Sequence, residues 1–139
     1  MVSIHFFVIL LAALAAFILG FMAHGPLLGK VWMKLADIHP TGNEKLSDMV
    51  PQMAWNFVAN IVCATGLAIV YLFAAHSGLL TGSTALNGII CGLIVWLGFT
   101  VSSSSIGVIW MGQSAKLWLF ESACSMVVFA VMGVIIATI

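Results

Sequence analysis

Four apolar runs dominate the chain: Ile4 to Ala23, Met53 to Ala75, Ala85 to Trp110 and Leu117 to Ile139. Each is about 20 residues or longer, and about 20 helical residues cross a hydrocarbon core of roughly 30 Å. Backbone polar groups in lipid must be paired internally, which leaves only helices and closed barrels. Barrel strands alternate apolar and polar residues, and these runs do not alternate. The expected fold is therefore an all-α membrane protein: four transmembrane helices in a bundle, at about 4–23, 53–75, 85–110 and 117–139, forming one domain over residues 1–139.

Composition closes the soluble alternative. The chain is 63% hydrophobic and 6% charged, with a mean hydropathy of +1.24. Soluble domains carry about 25% charged residues, so this chain could not clothe itself for water. The lipid bilayer is the expected partner. Four lysines balance four acids and there is no arginine, so no basic field exists to meet phosphates and nucleic acid is not expected as a partner. The opening MVSIHFF has no Lys or Arg. A secretory signal begins with a basic region, so the first run reads as a retained transmembrane helix.

The loops are unequal in charge. Residues 24–52 hold Lys30, Lys34 and Lys45, the third loop brings Lys116, and the second, HSGLLTGST, has no Lys or Arg. With four spans, loops one and three share a side. The positive-inside rule makes that side cytoplasmic, which puts both termini outside a cell membrane. Within loop one, Gly25-Pro26 should end the first helix, because proline lacks an amide hydrogen and restricts its predecessor. LLGKVWMKLA should then form a short interfacial helix. Lys30 and Lys34 share one face and reach toward headgroups, with Trp32 at the same depth. Lys116, bracketed by Trp110 and Trp118, marks the same boundary.

A few polar residues interrupt the spans. Glu121 lies about 7.5 Å along the fourth helix from Lys116. An ionisable residue within a span is a functional candidate, and a shallow carboxylate that bonds a neighbouring helix is the plainer alternative. Ser125 is one turn on. Asn56 and Asn60 form a stripe on helix two, with Gln52 one turn before them. Side-chain amides in lipid want partners, so the stripe is either interhelical bonding or the wall of a polar cavity shared with Glu121, Ser125, Ser102 and Ser103. The serines at 102–105 sit in a run longer than the hydrocarbon core, which must tilt, or end or kink near them. Two small-residue stripes, Gly88/Gly92 and Ala12/Ala16/Gly20, let helix backbones approach closely, within the bundle or between copies. Cys63, Cys91 and Cys124 stand alone as small packing residues. No residue spacing suggests a metal site, a cofactor motif or a catalytic triad, so no enzyme is expected.

The stretch GPLLGKVWMKL, followed later by WLGFTV, the Trp110 boundary, the lysine after loop three and VMGVIIA, resembles the membrane family called domain of unknown function 1761. The resemblance covers most of the chain except the tail of loop one and loop two. It departs at Ala23-His24, where the family commonly has Trp-Tyr. It departs again at Ala123 to Ser125, where the family often has Gly-Tyr-His. The resemblance implies a four-helix membrane fold and no particular activity. Two functional classes remain open. One is a small channel or transporter formed by self-association into a homo-oligomer. The other is a structural, accessory or lipid-binding subunit serving an unidentified membrane partner.

Overall fold

The apolar runs become helices throughout the computed structural model, which describes residues 5–139. The expected helix start at Ile4 falls outside those residues. The first span joins α1 (Phe6–Met22) to a wide turn, Ala23–Leu27. Helix α2 (Gly29–Leu35) follows, and a single 3-10 turn at Leu46–Met49 leads into α3 (Val50–His76). The third span runs from α4 (Thr84–Val95) through a second wide turn, Trp96–Val101, into α5 (Ser102–Met111). Helix α6 (Ala115–Thr138) is the fourth span. The described residues contain no strand, and four helical stretches are long and apolar enough to cross a membrane.

Local chemistry sets the ends. Gly25 takes φ −116° and ψ −105° inside the first wide turn, just before Pro26, so the helix breaks where the proline removes its donor. Helix α2 then restarts as the short segment expected of the lysine-bearing stretch. Pro51 sits in the first turn of α3, where a missing amide hydrogen costs nothing. This start precedes the expected Met53, because the turn before it already feeds the helix. Ser83 caps α4 by accepting from the Leu86 amide. The Asn87 side chain closes the preceding loop, accepting from Gly82 N and donating to Gly82 O, both at 3.1 Å. Helix α5 ends at Gly112 in the left-handed region (φ 71°), and Gln113 N donates to Gly107 O at 3.0 Å.

Lipid supplies no hydrophobic drive between helices, so association depends on close packing and polar bonds. The packed half of the bundle is accordingly built of small residues: Ala12, Ala13 and Ala16 on α1, and Ala64 and Ala68 on α3, all at most 2% exposed. Leu67, Tyr71, Cys91, Phe129, Met132 and Ile136 complete this core. The tightest seam joins α4 to α6. A Cβ added to Gly88 would land on the Gly133 carbonyl oxygen, and one added to Gly92 on that of Phe129. These contacts step four residues along one helix and four back along the other, so the pair is antiparallel. The Gly88/Gly92 stripe is thus used inside the bundle rather than between copies. Ala12 and Ala16 are buried too, whereas Gly20, next on the same stripe, meets nothing within 4 Å of a built Cβ.

The third span neither ends nor breaks at its serines. The backbone widens just before them, and all four lie inside α5. No residue of α5 is buried, and only 11% of the third span's most apolar window is enclosed, against 22% for each of the others. Below the glycine seam, this span therefore lies at the periphery of the bundle.

Candidate functional site

Where Gly20 leaves space, a cavity of about 490 Å³ opens between α1, α3 and α6, at the end of the bundle that carries loops one and three. Its deeper wall is apolar: Ala16, Phe17, Val128, Phe129 and Met132. Along α6 it reaches from Glu121 to Met132, about 16 Å at 1.5 Å per residue. Its polar lining residues are Gln52, His24 and Glu121 toward the loop end, with Asn56, Asn60 and Ser125 further in, among Phe21, Trp32, Met49 and Met53. Ligand sites of about 300–1,000 Å³ with mostly apolar walls and a few placed polar groups are the usual form for small molecules.

Each polar group has a local reason for its position. Asn56 and Asn60 lie one turn apart on α3, and Asn60 Nδ2 donates to Asn56 Oδ1 at 3.3 Å. Gln52, a further turn toward the membrane boundary, turns its amide nitrogen to the carbonyl oxygens of Asp48 and Met49 at 3.0 and 3.2 Å. Glu121 is half-buried, and its Oε2 accepts from Gln113 Nε2 at 3.2 Å. The Gln113 side chain is itself seated against Gly107, where a Cβ would strike its Oε1. The glutamate is therefore held by loop three, in the same chain.

His24 completes the mouth. Its Nδ1 lies 3.0 Å from Gly20 O. A carbonyl oxygen only accepts, so Nδ1 carries the proton. The ring meets Trp32 edge-on with centroids 5.3 Å apart, and Phe120 likewise at 6.3 Å. These contacts tie the end of α1 to both α2 and α6. Below them, Phe17 and Phe57 pack edge-to-face at 5.7 Å and join α1 to α3.

The structure brings together Glu121, Asn56, Asn60 and Ser125, which all line the cavity, and adds Trp32 from the interfacial helix. Ser125 is committed to packing. Its hydroxyl donates to Ser122 O at 2.9 Å and accepts from Trp96 Nε1 at 3.0 Å. Ser102 and Ser103, expected in the same cavity, are not among its lining residues and are exposed on α5. Their hydroxyls donate one turn back, to Gly98 O and Phe99 O, so the helix itself satisfies them and no cavity is needed. Lys30, Lys34 and Lys116 are exposed, clear of the cavity lining.

Three contributors were not singled out as site residues from the sequence. Gln113 bonds Glu121 across the loop, and Trp96 bridges to α6 from 26 positions away, so neither partner lies within a helical turn in sequence. His24 did carry a signal, since it stands at the end of span one, just before the Trp32 segment. Cys63 and Cys124 also line the cavity. Among the described residues, no group of three or more His, Cys, Asp or Glu is placed to hold a metal ion.

A family model described as "Protein of unknown function (DUF1761)" matches residues 7–137. The chain belongs to that family, and the match takes in all four apolar helices. No curated protein and no solved structure matches the chain.

Proposed function

We propose that this four-helix membrane protein is a non-enzymatic binding protein whose cavity takes up an amphipathic molecule from one face of the bilayer. The observation that carries this reading is the cavity itself: about 490 Å³, mainly apolar, with its one charged residue, Glu121, toward the loop end. Such a shape suits a guest with a greasy body and a polar end. On this reading the protein is a lipid-binding or accessory membrane subunit. Lys30 and Lys34 on the exposed face of α2 would meet headgroups beside the mouth. Native mass spectrometry of the protein released from nanodiscs tests it. Wild-type protein should retain a small-molecule or lipid adduct that Gly20→Leu, which projects a side chain into the cavity between α1 and α6, weakens or loses. Identical adducts on both proteins would end this reading.

Transport by a homo-oligomer is the second reading, favoured by Asn56, which is exposed on α3 although it lies in a membrane span. Beyond the deep end of the cavity, Ala12, Leu67 and Ala68 are almost fully buried and close the single bundle, so a through-path would run between copies. Cross-linking of a cysteine placed at Asn56 in native membranes tests this contact, and a monomer-only pattern counts against it.

The loops carrying all four lysines are proposed to face the cytoplasm, with both chain ends outside the cell membrane. A reporter fused after Ile139 should then be active only outside the cytoplasm, and cytoplasmic activity reverses the orientation.

A further inference from the structure

Glu121 stands at the cavity without a cation beside it. Its Oε2 is held by the neutral Gln113 amide, and among the described residues Oε1 accepts no hydrogen bond and Glu121 enters no ion pair. No lysine lines the cavity, and the chain has no arginine. His24 is at the mouth, but its Nδ1–H is spent on Gly20 O. Glu121 is half-buried at the polar end of an otherwise apolar cavity, so a positive charge brought beside it there gains attraction that bulk water would largely screen. The same cavity presents Phe17, Phe21 and Trp32, and aromatic faces attract cations, most strongly where water is excluded.

We infer that the cavity selects a lipophilic cation: a monovalent positive centre paired with Glu121, and apolar substituents against the aromatic and methionine wall. The inference rests on the binding reading above and adds the charge of the guest. An anionic group inside the cavity is disfavoured, because it would meet Glu121 there, whereas Lys30 and Lys34 lie outside the lining.

Tetraphenylphosphonium and tetraphenylborate are nearly equal in size and opposite in charge, so together they separate charge from bulk. Saturable binding of each would be measured by equilibrium dialysis against nanodisc-embedded protein, with empty nanodiscs as background. Three proteins are compared: wild type, Glu121→Gln and Gly20→Leu. Glu121→Gln keeps an oxygen for Gln113 and removes only the charge. Gly20→Leu starts its side chain where a built Cβ meets nothing within 4 Å, and circular dichroism of the variant checks that its helix content matches wild type.

The expected result is saturable phosphonium binding, weakened about tenfold or more by Glu121→Gln and weakened or abolished by Gly20→Leu, with borate at background. Phosphonium binding that Gly20→Leu weakens or removes but Glu121→Gln leaves unchanged overturns the charge selection and keeps the cavity. So does saturable borate binding in the same place. Binding indifferent to Gly20→Leu overturns both the cation and the cavity. Absence of saturable phosphonium binding overturns the cation alone, and the adduct comparison then judges the cavity.

Discussion

Gly88 and Gly133 face each other across the α4–α6 seam with no room for a methyl group, since a Cβ on either would fall on the other's carbonyl oxygen. In lipid, where apolar surface gains little by leaving its solvent, this backbone approach is what such a pair has to offer. Gly88→Ala or Gly133→Ala must push the helices apart, at a cost of about 1–3 kcal/mol. Reversible unfolding in mixed micelles measures it. Gly66→Ala and Gly98→Ala are the controls. A Cβ there meets nothing within 4 Å, so no loss is expected.

Trp96 clamps the same seam one turn further along. Its Nε1 reaches Ser122 O and Ser125 Oγ, both at 3.0 Å. Trp96→Phe keeps most of the ring and removes the donor, so stability should fall by about 0.6–2 kcal/mol. Combined with Ser125→Ala, the loss should be less than additive. A double-mutant cycle reads this coupling, and strict additivity would show that the two side chains do not share a bond.

His24 should exist, when neutral, with its proton on Nδ1, because Gly20 O can only accept. His76 makes the same bond to Leu72 O at 2.8 Å. Nitrogen-15 NMR of labelled histidine distinguishes the two tautomers directly. A dominant Nε2–H form at position 24 would mean that the ring does not bond the helix end.

Glu44 organises the exposed tail of loop one. Its carboxylate accepts from Thr41 N at 2.7 Å, from the Thr41 hydroxyl at 2.9 Å and from Gly42 N at 3.0 Å. These bonds, the Thr41 amide foremost, hold the carboxyl below its ordinary value of 4.5. A depressed carboxyl favours the folded turn above its unfolded value and loses that support as pH falls through the lowered one. The Thr41 and Gly42 amide shifts should therefore titrate with a midpoint below the ordinary carboxyl value of 4.5. Glu44→Gln should move them at neutral pH.

Much of the fold was legible because lipid imposes it. Runs such as Leu117 to Ile139 have no alternative to helix, and Gly25-Pro26 announces its own break. The meeting of Glu121 with Asn56 and Asn60 was also within reach, since α6 and α3 both begin at the same end of the bundle. Ser102 and Ser103 went astray because a hydroxyl in a helix can satisfy itself one turn back, and nothing in the sequence tells that bond from a cavity contact. Gly88 could have served either the bundle or a second copy, and only the position of Gly133 decides. Gln113 and Trp96 were invisible as partners because their bonds depend on how whole helices dock. The widening at Trp96–Val101 carries no proline, and its only local marks are Gly98 and the serines that bond the Gly98 and Phe99 carbonyls from the next turn.

That widening has a mechanical consequence. The span from Thr84 to Met111 has 28 residues, about 42 Å as a helix against a core of roughly 30 Å. Its first half is held backbone to backbone by the glycines. Its second half touches α6 lightly, through Trp118 Nε1 and Ser104 Oγ at 2.9 Å. When the bilayer thins or thickens, the mismatch is cheapest to absorb where fewest contacts must be remade. Helix α5 is that place: a compliant arm on a stiff hinge, able to follow the membrane while α1, α3 and α6 keep the cavity walls in register.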